Sequence, residues 1–226
     1  MMKGKIILTV FAISIIVSGT ILVTTNNNND NKNVLRDRND SQGTQNETLG
    51  RGENNYQVYY TSDYLYTEPN DIFNHSSLVV IGEYVQDLKS FVGNDERAHT
   101  VSEFKISKVL KGDFLSDTIE IVRLGGTVPL SEYIATQTQE QLEKKGISTL
   151  SKSQIAKSSV EFISQDYNLN LKQKANKKFV LLLNYDSNTE MYVASADEYS
   201  ILELDTSKNE VYNINNKQFE NYSFIK

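Results

Sequence analysis

His75 and His99 are the only two histidines in a chain of 226 residues that has no cysteine. A metal site built on two imidazoles needs carboxylates to complete its shell, and Glu83, Asp95 and Glu96 are the candidates in reach of them along the sequence. No His-Glu-x-x-His pattern sets two imidazoles on one helical turn, so no metal and no other cofactor is expected, and both histidines read as loop or turn residues. No serine lies in a Gly-x-Ser-x-Gly elbow, and neither histidine has a motif around it, which leaves a serine triad without sequence support. The phosphate-loop pattern is absent, Lys111-Gly112 reversing its final order, and no Gly-x-Gly-x-x-Gly follows a strand.

The carboxylates fall into two groups. Glu103, Asp113, Asp117 and Glu120 flank one segment, while Asp186, Glu190, Asp197, Glu198, Glu203 and Asp205 crowd the final strands. A glycosidase sets two carboxyl groups on either side of a bond, but solvated strand faces and turns put acids in the same places. Asp205-Thr-Ser-Lys-Asn209 has the composition of a calcium loop without its spaced ligands or closing glutamate. No catalytic residue is assigned. Five tyrosines, Tyr56, Tyr59, Tyr60, Tyr64 and Tyr66, are the remaining cluster. A tyrosine ring has an apolar face and a polar tip suited to a sugar, which makes Tyr60, Tyr64 and Tyr66 the candidate ligand-binding surface; a strand packing its tyrosines onto a sheet explains the same spacing.

The elements that must position these side chains are mostly strands. After Pro69 a short helical turn precedes a strand from Ser77 to about Lys89, in which the run Leu78 to Ile81 suits a strand covered on both faces. Phe104 and Ile106 share one parity and Val109 the other, so a bulge is expected near Lys108. Lys111-Gly112-Asp113 supplies a hairpin turn into the strand Thr118 to Leu124. Gly125-Gly126 marks where the chain leaves the sheet. The stretch from about Leu130 to Lys174 reads as an insertion of one or two helices. The first is capped by Ser131 and ends near Lys145 with Gly146 as its terminal glycine. The second opens on the Ser151 to Gln154 capping box and carries Ile155, Ser159, Phe162 and Ile163 at helical spacing. "FVLLLNY", "MYVAS" and a hairpin turning at Asp205 to Asn209 return the chain to the sheet.

The first 24 residues read as a membrane segment: Lys3 and Lys5 precede an uncharged run from Ile6 to Val23. Eighteen helical residues span roughly 27 Å, close to a bilayer core of about 30 Å. The lysines place the N-terminus in the cytoplasm and the rest outside the cell; secretion after signal cleavage is the alternative, although Val17-Ser18-Gly19 is a poor cleavage site. Residues 25–55, rich in Asn and Asp and nearly devoid of apolar side chains, read as a disordered tether, leaving 56–226 as the folded domain. A net charge of −6 lacks the basic footprint of nucleic-acid binding.

The segments "SLVVIGEYV", "EFKISKVLKGD", "IEIVRLGG" and "KKFVLLLNYD" together resemble an arrangement in uncharacterised secreted or membrane-anchored proteins of Gram-positive bacteria. The resemblance covers about Asp71 to Gly126 and Lys178 to Tyr212. It implies a small antiparallel β-barrel or sandwich, loosely similar to the oligonucleotide/oligosaccharide-binding (OB) barrel of netrin and metalloproteinase-inhibitor domains. Those inhibitors depend on cysteines that this chain lacks, so inhibition is not carried over. The expected fold is mainly β (α+β), an OB-like barrel with a helical insertion behind a membrane anchor. The expected function is a binding or interaction module for a cell-wall component or envelope protein, with an envelope hydrolase as the alternative.

Overall fold

The computed structural model describes residues 21–22, 55–61, 64–167 and 169–225. The proposed tether lies outside the described residues except for Asn55, which opens a strand. So does the apolar N-terminal run, apart from β1 (Ile21–Leu22), which pairs antiparallel with the end of the next strand. Among the described residues no helix is long and apolar enough to cross a membrane.

The chain is mainly β, with an eight-stranded sheet, a four-stranded sheet and a few short helices. After β2 (Asn55–Tyr60) comes the short helix α1 (Pro69–His75). The long strands β3 (Leu78–Val92) and β4 (Ala98–Lys111) form a hairpin, and β5 (Thr118–Leu124) continues the meander. The turn between β4 and β5 needs its glycine: Gly112 has φ +80°, and a Cβ there would lie 2.6 Å from the Ser77 carbonyl oxygen. The expected bulge is present. Lys108 pairs with Ile81 and Ile106 with Gly82, so Ser107 is extruded, and Val109 rejoins Phe104 and Ile106 in one apolar cluster.

The chain then crosses to the second sheet. There β6 (Gly126–Pro129) pairs with β7 (Ser159–Ser164), which runs parallel to β2. Between β6 and β7 lie α2 (Leu130–Thr136), α3 (Gln139–Lys144) and α4 (Lys152–Lys157). The expected long first helix is therefore two short ones, because Thr138 and Gln141 form a capping box that starts a new helix. The expected second helix begins at the Ser151 capping box but stops at Lys157. Beyond it the alternation Val160, Phe162 governs: both are buried as strand residues of β7, and β-branched and aromatic side chains fit a pleated surface better than a thin helical stripe. The insertion thus contributes a strand as well as helices.

Returning to the large sheet, β8 (Lys178–Asp186) pairs with β3 along one edge. Its other edge is shared. β9 (Met191–Ala194) takes the Leu183 to Asp186 half, and β10 (Ile201–Asp205) takes the Lys178 to Leu181 half. A 3₁₀ turn at Asp197–Ser200 carries the chain from one half to the other. Because β9 also pairs in parallel with β5, the strands β3, β4, β5, β9 and β8 close into a ring. β11 (Glu210–Asn213) and β12 (Gln218–Asn221) extend the sheet beyond β10.

All five ring strands contribute to one core, through Leu78 and Val80, Phe104, Ile119 and Ile121, Ala194, and Phe179, Leu181 and Leu183. Leu171, from a 3₁₀ turn at Leu171–Lys174, joins this cluster. The opposite faces of β3 and β8 bury Val79, Ile81, Val180 and Leu182 with Ile72 of α1 and Val211 of β11, so the run Leu78 to Ile81 is covered on both sides. A third cluster joins the small sheet to Leu130 and Tyr133 of α2 and to Ile147.

Candidate functional site: a polar cleft between the two sheets

The ring core changes character at one end. Phe104, Ser102 and Thr100 alternate along β4 onto the same face, and Ile119, Ile121 and Arg123 do so along β5. Apolar side chains therefore give way to buried polar ones as both strands approach the second sheet. Ser102 and Thr100 are buried, and the Arg123 side chain is only 12% exposed. A buried guanidinium requires an acceptor. Asp87 of β3 supplies it: Arg123 Nη2 donates to Oδ1 at 3.0 Å, Arg123 Nε donates to Ser102 Oγ at 2.9 Å, and that hydroxyl donates to the same Oδ1 at 2.7 Å. Lys172 Nζ is 3.6 Å from Asp87 Oδ2. Burial pushes the Asp87 carboxyl up, but Arg123, Ser102 and Lys172 outweigh it and hold the group below the usual carboxylate range.

Above this network lies a cleft of about 450 Å³, walled by the ends of β3, β4 and β5, by β7 and the segment after it, and by the 3₁₀ turn between β9 and β10. Its size is that of a small-ligand pocket. Gly125 and Gly126, both at positive φ, carry the chain across its floor; a Cβ on Gly126 would come within 2.0 Å of Thr100 Oγ1. That hydroxyl donates to the Gly125 carbonyl at 2.7 Å and is 2.9 Å from Ser90 Oγ.

Glu198 closes the far wall. It is 5% exposed, and its Oε1 accepts the Ser164 hydroxyl from β7. Burial raises its carboxyl above the ordinary glutamate value, with Asp166 adding to the rise and Ser164 and Arg97 opposing it. The neighbouring Asp197, at φ +43°, is pushed up to about 8, by burial first and then by the charge of Glu198, with a Leu124 backbone hydrogen bond opposing. Tyr60 lines the same wall, its phenol raised by burial and by both acids. Arg97 sits behind, its Nε donating to Asp95 Oδ2 at 2.8 Å while its buried Nη1 has no partner.

The three candidate tyrosines are not brought together. Tyr60 is not a surface ring, because the alternation of β2 turns Tyr56, Val58 and Tyr60 into the core of the small sheet and leaves Tyr60 2% exposed. Tyr64 packs edge-on against Tyr199, and Tyr66 stacks on His75 at a centroid distance of 3.9 Å. The histidines sit on different elements. His75 ends α1 with Nδ1 2.7 Å from the Asp71 carbonyl, and His99 of β4 faces Asp95 at 2.9 Å and stacks on Phe91. No group of three or more His, Asp or Glu side chains converges for a metal among the described residues.

Of the cleft residues, the sequence alone points to Tyr60 and Glu198. Arg123 carries a signal of its own: it shares the parity of Ile119 and Ile121, and a cation on the inward face of a strand demands a buried partner. Comparison with protein-family models, with curated proteins and with solved structures finds no match.

Proposed function

We propose that the chain is a membrane-anchored, extracytoplasmic binding module, of the kind its sequence resembles in Gram-positive envelopes, and that the cleft is its ligand site. The observation that carries this reading is the change of the ring core from apolar to polar where it meets the second sheet. Buried hydroxyls and a buried Arg–Asp pair at the mouth of a cleft cost stability relative to apolar packing, a cost that a ligand with matching groups offsets.

The ring supports an OB-like barrel. Its first three strands form a meander, its third and fifth pair in parallel, and its fourth closes on the first. OB barrels take oligonucleotides or oligosaccharides, and the acidic chain disfavours the former. His99 is paired with Asp95 and does not line the cleft, which favours binding over hydrolysis at the cleft.

The test pairs topology with capture. In intact cells, an external protease should remove the domain while a cytoplasmic marker survives. Purified domain should bind cell-wall fragments, and Arg123→Gln with Lys172→Gln should abolish that binding with the fold retained by circular dichroism. Undiminished binding by the folded double variant would rule out the cleft.

A further inference from the structure

The two walls of the cleft hold ionisable groups of opposite sign, and neither wall contains a full set of ion-pair partners for its own groups. On one wall Arg123 and Lys172 share the single carboxylate of Asp87, and Lys89 also lines the cleft. The Lys89 side chain, however, points to the opposite face of β3 from Asp87 and Ser90, paired with Val101, so the excess on this wall is two cations against one acid. On the other wall Glu198 is met by the Ser164 hydroxyl and its own backbone amide. No cation lies within ion-pair distance of Glu198 among the described residues. Arg97 acts on it only from a distance, and the neighbouring Asp197, raised to about 8, holds its proton at neutral pH and supplies no counter-charge.

A buried carboxyl group with no cation partner and a pair of cations sharing one acid, facing one small cavity, are complementary to a ligand carrying both charges. Resting on the cleft being a ligand site, we propose that its ligand is zwitterionic: a short peptide or amino acid whose carboxylate meets Arg123 and Lys172 and whose ammonium meets Glu198. A neutral sugar would satisfy the hydroxyls but leave both charge excesses in place. A simple anion would satisfy one wall and repel the other.

The arrangement also links binding to protons. Burial favours the neutral form of Glu198 in the empty cleft. An ammonium beside it favours the ionised form, so binding releases a proton and affinity rises with pH. The groups around Glu198 are Ser164 and Asp166 from β7 and its following turn, Tyr60 from β2, Asp197 and Tyr199 from its own turn, and Arg97 from the turn just before β4. None of these supplies the missing cation at ion-pair distance.

The experiment follows backbone amide resonances of the folded domain on titration with L-alanyl-L-alanine. Its N-acetyl derivative, its C-terminal amide and the neutral disaccharide N,N′-diacetylchitobiose are titrated in parallel. The free dipeptide should shift the resonances of residues 87–90, 123–127 and 161–164. Each blocked form should bind at least about tenfold more weakly, since it forgoes one charge-assisted hydrogen bond. Glu198→Gln, shown folded by its melting curve, should weaken the free dipeptide but not the N-acetyl form. Calorimetry in two buffers of different ionisation enthalpy should register proton release. Cleft shifts with the disaccharide and none with the dipeptide would overturn the zwitterion while leaving the cleft as a binding site. Shifts elsewhere, or none with any probe, would overturn the zwitterion, and loss of wall binding in the cleft variants would then still report separately on the cleft.

Discussion

Ser164, the last residue of β7, donates its hydroxyl to Oε1 of Glu198, which lies in the turn between β9 and β10. One hydrogen bond thus ties the small sheet to the place where the edge of β8 changes partner. It also fixes the carboxyl group that forms one wall of the cleft. Ser164→Ala should lower stability by about 1–2 kcal/mol, since it leaves a buried acceptor short of a donor. Chemical denaturation of the two proteins measures this, and an unchanged midpoint would show that Glu198 finds another partner.

Asp197 gives the domain a pH dependence of definite sign. Its carboxyl is raised to about 8 in the folded protein, against about 3.9 in an unfolded chain. The folded state therefore holds the proton more tightly, and its stability falls as pH rises from about 4 to about 8. Asp197→Asn should flatten that fall, and asparagine tolerates the left-handed backbone there. Urea midpoints at pH 5 and pH 8 decide it; an equal decline in the variant would assign the dependence to another group.

Gly126 is the tightest point of the crossing. Any side chain at its φ of +122° is strained, and a Cβ would overlap Thr100 Oγ1. Gly126→Ala should cost about 1–3 kcal/mol, whereas Gly146→Ala, at φ +66° with nothing within 4 Å, should cost about 1 kcal/mol. Comparing their melting temperatures separates steric overlap from backbone strain.

Arg123→Met removes the main partner of Asp87 and leaves the acid half-buried. A loss of roughly 2 kcal/mol is expected, between the values for exposed and fully buried pairs. Asp87 is held below its ordinary range in the folded state, so its contribution is present at neutral pH and is lost as the medium becomes acidic enough to protonate it. The difference between wild type and Arg123→Met should therefore shrink toward low pH. A difference independent of pH would mean that Arg123 acts through packing alone.

Much of the β architecture is legible in the sequence because its signals are local. The parity switch between Ile106 and Val109 announces the bulge, Gly112 announces the turn, and the unbroken run Leu78 to Ile81 announces burial on both faces. β7 is masked because Ile155, Ser159, Phe162 and Ile163 fit a helical period, while the pairing that fixes the strand comes from β2, about a hundred residues away. The cleft is harder still. Asp87, Arg123, Lys172 and Glu198 come from four separate elements, and no motif relates them. Tyr60, expected as a surface ring, contributes instead as a buried wall.

The most direct measurement of the central claim is hydrogen–deuterium exchange of the folded domain with and without a digest of cell-wall peptides and sugars. Binding in the cleft predicts slowed exchange in residues 87–90, 123–127 and 161–164, with α2 to α4 unchanged. Protection confined to α2 to α4, or to the β11–β12 hairpin, would contradict it.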